Sequence, residues 1–485
     1  MTTPAVLIAG AGIAGLATAL ALRERGYRVR ILERSGPPPE GPAAKAAEAW
    51  RRPTVPQSGH SHVLTSLGMR VLAERLPALL DALWEEGGHT LDLTAAAPRT
   101  APGHVREPAD DQLLALAMRR PVLELVLHRA VRDTPGIEIV YGTAVRGLLL
   151  APSGRAVAGV VTDRGAQLPA RVVVDASGRK AASRSWLDAA GVPLAEDLTS
   201  PTAVRVVTRF YRLTGPGRPG PLNRGNAAGG IHGHYAAVLH PADGEVFAVS
   251  LGLLTGDPAT RGLPSPGAFT AAARLSPYLG PWLADGVAVP ITPVRALTVA
   301  PNILRGTATA RQRPVAGLFP VADAACVTDP LYGRGVSLAF AHAFALADLL
   351  DSRPAVGAAQ SERAAHLAEE LFGPWYAQAA QDGLARIGLW RAAADGTPPP
   401  GRGTADTTGR PSMASIAAAA ASDATVWRGL TRMLMTLATP AEAFDDPGFR
   451  ARVRRARPLD GPTGPLPPSR EELLTAMATG RGAQR

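Results

Sequence analysis

At 485 residues the chain is too long for one ordinary hydrophobic core, so two or three interleaved domains are expected, and 46% hydrophobic against 19% charged residues is the balance of a globular protein. The net charge of +10 is almost all arginine, scattered and with few interleaved aromatics outside a cluster at residues 450–457, so nucleic acid is not expected as a partner while anionic small ligands are favoured. The single cysteine, Cys326, excludes an intramolecular disulfide framework and a cysteine-based metal site and fits a reducing cytoplasm.

Residues 5–9 read as an apolar strand leading into Gly10-Ala11-Gly12-Ile13-Ala14-Gly15 and a helix over 14–25, which Gly26 stops. Residues 28–32 form a second strand ending in Glu33-Arg34. In this setting Gly10 permits a tight turn, Gly12 the close approach of a pyrophosphate and Gly15 the packing of helix on strand. Glu33, 18 positions after Gly15, would take the ribose hydroxyls of an adenosine. Strand, glycine turn, helix and strand-closing acid together predict a dinucleotide site, without separating NAD from FAD. Residues 6–22 contain Ala19-Leu20-Ala21, as a cleavage site does, but lack a basic leader and are read as mature structure. No apolar run reaches the roughly 18 to 20 residues of a membrane span.

The strand-helix repeat then breaks at a Pro-rich loop (36–42) and an irregular stretch (51–64), which suggests a cofactor running through the protein. His60 and His62, with no cysteine or nearby carboxylate, make a poor metal set, so no metal is expected. Histidine titrates near neutral pH, which suits either residue to proton transfer. Residues 203–213 and 235–253 alternate and are rich in β-formers, with Asp243-Gly244 as a hairpin turn. With 287–297 they predict an antiparallel sheet flooring a substrate chamber. The Gly- and Pro-rich stretch 215–230 reads as a loop, either a lid or a surface insertion, with His232 and His234 beside it facing substrate or solvent.

Residues 317–321 read as a buried strand, followed by Asp323, the turn Pro330-Leu331-Tyr332-Gly333-Arg334-Gly335 and a helix from near Val336. Asp323 would accept hydrogen bonds from sugar hydroxyls, the glycines allow close backbone approach, and the helix start offers free N–H groups. Helical periodicity continues over 336–350 and 361–391. Residues 398–411 have the composition of a linker, and 412–457 look helical, with Trp427, Leu430, Met433 and Leu434 on one face. The last residues, 458–485, are expected to be irregular up to a short helix near Arg470.

Several of these segments resemble the FAD-dependent monooxygenases of the single-component aromatic hydroxylase type, and more closely their epoxidase-like and halogenase-related relatives of natural-product biosynthesis. The resemblance covers roughly the first 350 residues. It rests on Gly10 to Gly15 with Glu33-Arg34, on the Q-x-x-H-x-H-x-L segment Gln57 to Leu64, on the R-x-x-L-E segment Arg120 to Glu124, on the Asp175-Ala176-Ser177-Gly178 turn, and on Asp323 with Pro330 to Gly335. It implies an α/β fold, a Rossmann-like FAD-binding domain interleaved with an antiparallel-sheet substrate domain, plus C-terminal helices. It also implies FAD held by Gly10, Gly12, Ile13, Ala14, Gly15, Glu33, Arg34, Arg120, Asp175, Gly178, Asp323, Pro330, Gly333, Arg334, Gly335 and Val336. His60, His62 and Arg334 would be the residues nearest the chemistry, Arg334 adding positive charge at the flavin. The reductant would be NAD(P)H, with O2 adding to the flavin as a C4a-hydroperoxide that hydroxylates or epoxidises a bulky, mostly apolar polyketide, terpenoid or aromatic. One departure is Ala322, which stands where the family's Gly-Asp pair has glycine.

On this reading residues 1–84, 113–200 and 301–350 build the FAD domain, 85–112 and 201–300 the substrate domain, 351–457 a helical region and 458–485 a tail. A dehydrogenase or reductase of the same fold, a halogenase-like enzyme, and a non-catalytic flavoprotein that binds a pathway partner are the other readings the sequence leaves open. It does not determine the substrate, the choice of NADH or NADPH, or the oligomeric state.

Overall fold

The computed structural model describes residues 5–98, 104–400, 409–456 and 465–482. Five parallel strands, in the order Leu318–Pro320, Val172–Asp175, Ala5–Ala9, Arg28–Glu33 and Ile137–Tyr141, form the central sheet. Their register brings the carboxyl ends level: Ala9 lies beside Asp175, Asp175 beside Pro320, and Ala9 beside Leu32. The turns after Ala9, Asp175 and Pro320 therefore emerge at one edge although some 300 residues separate them, as the crevice at the ends of an open parallel sheet requires. Helix Ile13–Glu24 packs against helices Arg120–Arg132 and Gly335–Ser352. The latter is long and apolar enough to cross a membrane by length and composition, although no run of that length was expected from the sequence, and 61% of its most apolar stretch is buried inside this fold. It is a core helix because both neighbours present apolar faces to it.

The second layer is an antiparallel sheet in the order Ala228–Ile231, Ala236–Pro241, Val246–Leu254, Val204–Leu213 and Ala288–Pro290, with Arg295–Thr298 also paired to Val204–Leu213. Side chains alternate across it. Val207, Leu239, Val249 and Leu251 pack into a core with helix Pro266–Arg274, while Val206, Val238, His240 and Ser250 point the other way, into a cavity. The fold class read from the sequence is thus the observed one.

Two segments differ from their sequence reading. The loop expected at 215–230 ends in the edge strand Ala228–Ile231, and its turn is fixed by Asn223, whose Oδ1 accepts from Gly229 N–H at 2.7 Å. The helical stretch at 412–457 is four short helices, because Asp423, Thr439 and Asp446 each cap a new one with a side-chain oxygen, and Pro440 and Pro447 open the last two. The terminal helix expected near Arg470 is Arg470–Gly482, and it buries Leu473 and Met477 against helix Pro266–Arg274, completing the core on the sheet face away from the cavity. Most of the expected linker at 398–411 and the irregular start of the tail lie outside the described residues.

Candidate cofactor and substrate cavity

A cavity of about 1460 Å³ runs from the glycine turn after Ala9, past the turns that follow Asp175 and Val321, to the antiparallel sheet. Single-ligand pockets typically measure about 300–1,000 Å³, so this one has room for a dinucleotide and a second molecule together.

At the first end Gly10, Gly12, Ile13, Ala14, Glu33 and Arg34 line the wall. The second and third glycines serve different needs. A Cβ on Gly12 would meet no protein atom within 4 Å, so its backbone borders open cavity at the start of helix Ile13–Glu24. A Cβ on Gly15 would fall 1.9 Å from the carbonyl oxygen of Gly10, so Gly15 is required for packing. Glu33 accepts from Ala11 N–H at 2.7 Å and from Ser35 N–H at 2.8 Å, which ties the glycine turn to the end of the next strand. Its carboxylate keeps further lone pairs for a hydroxyl.

Midway along the cavity lie His60, His62, Arg120, Glu124 and Arg52. His62 Nδ1 contacts the carbonyl of His60 at 2.9 Å, and its Nε2 faces Arg120 Nη1 at 3.3 Å. A carbonyl only accepts and an arginine only donates, so His62 is the neutral Nδ1–H tautomer. Burial, and then the Arg120 charge, push its pKa down to about 3. Burial and the Arg295 charge hold His60 at about 4, with its Nδ1 2.9 Å from Thr208 Oγ1. Both imidazoles are therefore neutral at physiological pH, rather than titrating near neutrality as the residue type alone suggests. Glu124, only 1% exposed, sits between Arg52 (3.4 Å) and Arg120 (3.6 Å).

Asp323 faces the cavity with no hydrogen-bonding or ion-pairing partner among the described residues, and burial raises its pKa against the lowering effect of the Arg120 and Arg179 charges. Such a carboxylate fits a ligand rich in hydroxyls. Next to it Ala322 adopts φ +51°, the left-handed region, and donates its N–H to Nδ1 of the buried His342 at 3.1 Å. The turn Pro330–Tyr332, Gly333 (φ +67°) and Gly335 continue the wall into the start of helix Gly335–Ser352.

Three of the expected cofactor residues, Gly15, Arg334 and Asp175, do not reach the wall, Gly15 because it packs on Gly10. Arg334 is 1% exposed and runs away from the cavity between the rings of Tyr332 (4.5 Å) and Trp375 (4.6 Å), where burial lowers its pKa. Its charge lies behind the turn rather than on the ligand side. Asp175 is fully buried, its carboxylate taken by the N–H groups of Ser177 (2.9 Å) and Ser183 (2.7 Å). It shapes the turn whose Ala176, Ser177 and Gly178 do face the cavity. Arg120, Pro330, Gly333, Gly335 and Val336 are on the wall. The sequence reading missed the braces behind the turn, Asp382, Gln378 and Arg386 of helix Ala358–Asp395, and the wall residues Arg224, Asn226 and His240. None belongs to a motif, and Arg224 is one of 51 basic residues, so no local signal marked it.

Residues 5–111 match the family model described as FAD dependent oxidoreductase. No curated protein sequence matches the chain. Among solved structures, a flavoprotein/dehydrogenase from Cytophaga hutchinsonii is similar over 100% of both chains, with TM-score 0.59 and 14% identity. PqsL, a probable FAD-dependent monooxygenase from Pseudomonas aeruginosa, is similar over 81% of this chain and 98% of its own, with TM-score 0.58 and 19% identity. The Diels-Alderase PyrE3 of pyrroindomycin biosynthesis is similar over 89% of this chain and 80% of its own, with TM-score 0.58 and 16% identity. At these identities the likeness is one of fold, and it is the fold that the motifs lead one to expect. The FAD dependent oxidoreductase match falls on the segment that contains the glycine turn and Glu33.

Proposed function

We propose that the protein is an FAD-dependent monooxygenase that uses NAD(P)H and O2 to hydroxylate or epoxidise a bulky small molecule in the cytoplasm. The observation that carries the reading is the continuity of the cavity: one space joins the glycine turn and Glu33, the unpartnered Asp323, the Pro330–Gly335 turn and the face of the antiparallel sheet. A dinucleotide lying along the first three would leave the sheet side for the substrate.

Bound flavin would supply the redox step and the activation of oxygen. The chain's own residues bind and orient. Gly12 and the N–H groups of the following helix would receive the pyrophosphate, Glu33 the adenosine ribose, and Asp323 the hydroxyls of the sugar chain. The start of helix Gly335–Ser352 would place its positive end at the ring, stabilising negative charge there. Val206, Val238 and Leu331 give the substrate side an apolar lining that excludes water and suits an apolar polyketide, terpenoid or aromatic body.

The test is reconstitution. Purified protein is expected to hold one FAD, identified after release, and to consume O2 with NADH or NADPH. A protein that takes up no FAD overturns the reading, and one that holds FAD and reduces substrates without consuming O2 replaces it with a dehydrogenase.

A further inference from the structure

The substrate side of the cavity carries an uncompensated positive charge. Arg224 lines the wall, and among the described residues no carboxylate lies within ion-pair distance of it and no side-chain hydrogen bond holds its guanidinium. Of the other cavity cations, Arg52 and Arg120 are matched by Glu124, while Arg34, Arg146, Arg179 and Lys180 line the wall without an ion pair among the described residues, Arg34, Arg146 and Lys180 being exposed to water. The wall carboxylate Asp329 is taken by Arg386. An arginine kept in a partly buried cavity without a counter-ion has lost hydration and gained nothing from the protein, which is the arrangement of a group whose partner arrives with the ligand. Burial holds its pKa below the ordinary arginine value, but guanidinium starts high enough to stay charged at neutral pH.

The surrounding geometry is fixed. Asn223 is bonded to both Gly229 N–H (2.7 Å) and Gly229 C=O (3.2 Å), and Arg224 N–H closes the turn on Ala227 C=O at 3.0 Å. Gly225, at φ +77°, lies so close to Leu93 that a Cβ would fall 2.6 Å from its Cα. The turn is thus clamped on both sides, and Arg224 is presented from it. Asn226, 4% exposed, lines the same wall with its amide NH2 on only a sulfur, Met435 Sδ, at 3.9 Å. His240, on the adjacent strand, has a buried Nδ1 with no partner, and burial together with the Arg224 charge keeps it neutral, its pKa at about 3. A cation, an amide and a neutral imidazole on an otherwise apolar wall match one anionic oxygen group on an apolar body.

We infer that Arg224 is the anchor for a negatively charged oxygen group, a carboxylate or enolate, on the molecule that this protein oxidises, with Asn226 and His240 beside it. The inference deepens the monooxygenase reading and rests on it for the word oxidises. The charge it answers is not the cofactor's, because on that reading the pyrophosphate lies at the glycine turn of the parallel sheet, on another wall.

Calorimetric titration of the full-length protein, before and after loading with FAD, tests the binding. The probes are three acids, 2-naphthoic, 3-phenylpropionic and 2-aminobenzoic, each against its neutral amide. Wild-type protein is expected to bind at least one acid about tenfold or more tightly than its amide, as a charge-assisted pair replaces a neutral contact. Arg224→Met should bring acid and amide within about twofold without changing the amide's affinity, and Arg224→Lys should restore part of the preference. An unchanged melting temperature shows that each variant folds, and Asn226→Leu, which keeps the charge, provides a second variant that should weaken acid binding less than Arg224→Met. Equal affinity for acid and amide in every pair, no binding of any acid, or a preference that survives in Arg224→Met overturns the inference. FAD uptake is read separately in the same samples, so failure of the flavin reading and failure of the anion anchor are distinguishable.

Discussion

Tyr332 donates its hydroxyl to Oδ2 of Asp382 at 2.5 Å, joining the turn on the cavity wall to a helix 50 residues further on. Gln378 donates to the same oxygen at 2.8 Å, and Arg386, one turn along, pairs with the fully buried Asp329 at the start of the turn. The long helix Ala358–Asp395 is therefore a backing for the Pro330–Gly335 segment, and Arg334 between two rings completes it. Tyr332→Phe removes one of Asp382's two donors and should lower stability by about 1–2 kcal/mol, with FAD affinity falling as the turn loosens. Denaturant unfolding of the apoprotein and fluorescence titration of FAD check the two effects.

The Asp329–Arg386 pair is nearly solvent-free, at 0% and 6% side-chain exposure. Arg386→Met leaves a buried carboxylate uncompensated and should cost about 3–5 kcal/mol, while adding Asp329→Asn should recover much of the loss. A double-mutant cycle by urea unfolding measures the difference.

Gly12 and Gly15 should separate binding from folding. Gly12→Ala places a methyl in open cavity and is expected to keep the wild-type melting temperature while weakening FAD binding by at least about tenfold, since the pyrophosphate can no longer approach the backbone. Gly15→Ala drives a Cβ into Gly10 C=O and is expected to lower the melting temperature itself. Thermal unfolding of both apoproteins, with FAD titration, decides.

Ala322 holds a left-handed backbone that costs an L-residue about 1–2 kcal/mol. Replacement by glycine removes that strain and adds about 0.5–1 kcal/mol of chain entropy. Ala322→Gly should therefore raise stability by up to about 1.5 kcal/mol. A loss of stability in urea unfolding would sink the account.

His342 accepts the Ala322 N–H on Nδ1, and burial holds its pKa at about 4. Its folded-state pKa is depressed below the unfolded value of about 6.5, so the unfolded chain binds the extra proton first. The contribution is complete above pH 6.5 and is lost as pH falls towards 4, by about 1.4 kcal/mol per pH unit in that window. Other buried histidines, including His62 and His128, shift in the same direction, so the His342 share is the difference in slope between wild type and His342→Gln, which should lose less stability on acidification. Equal slopes for the two proteins between pH 6.5 and 4 would falsify the assignment.

By itself the sequence determined the local elements and their chemistry. The strand at residues 5–9, the glycine turn and the acid-closed second strand follow from apolar runs and glycine spacing, and the alternation at 203–213 and 235–253 determines which residues share a face of the sheet. It also marked Ala322 as a departure, although only the backbone shows that the position still turns left-handed, held there by His342 from 20 residues away. What the tertiary structure decided is direction and company. Arg334 belongs to a glycine-rich turn yet points away from the cavity, because Trp375 of a distant helix offers its ring there. Asp175 is consumed by its own turn, and Arg224, with no motif around it, is left unpaired on the cavity wall. Periodicity and spacing encode which residues share a face, whereas charge compensation depends on elements hundreds of residues apart, and only their packing brings them together.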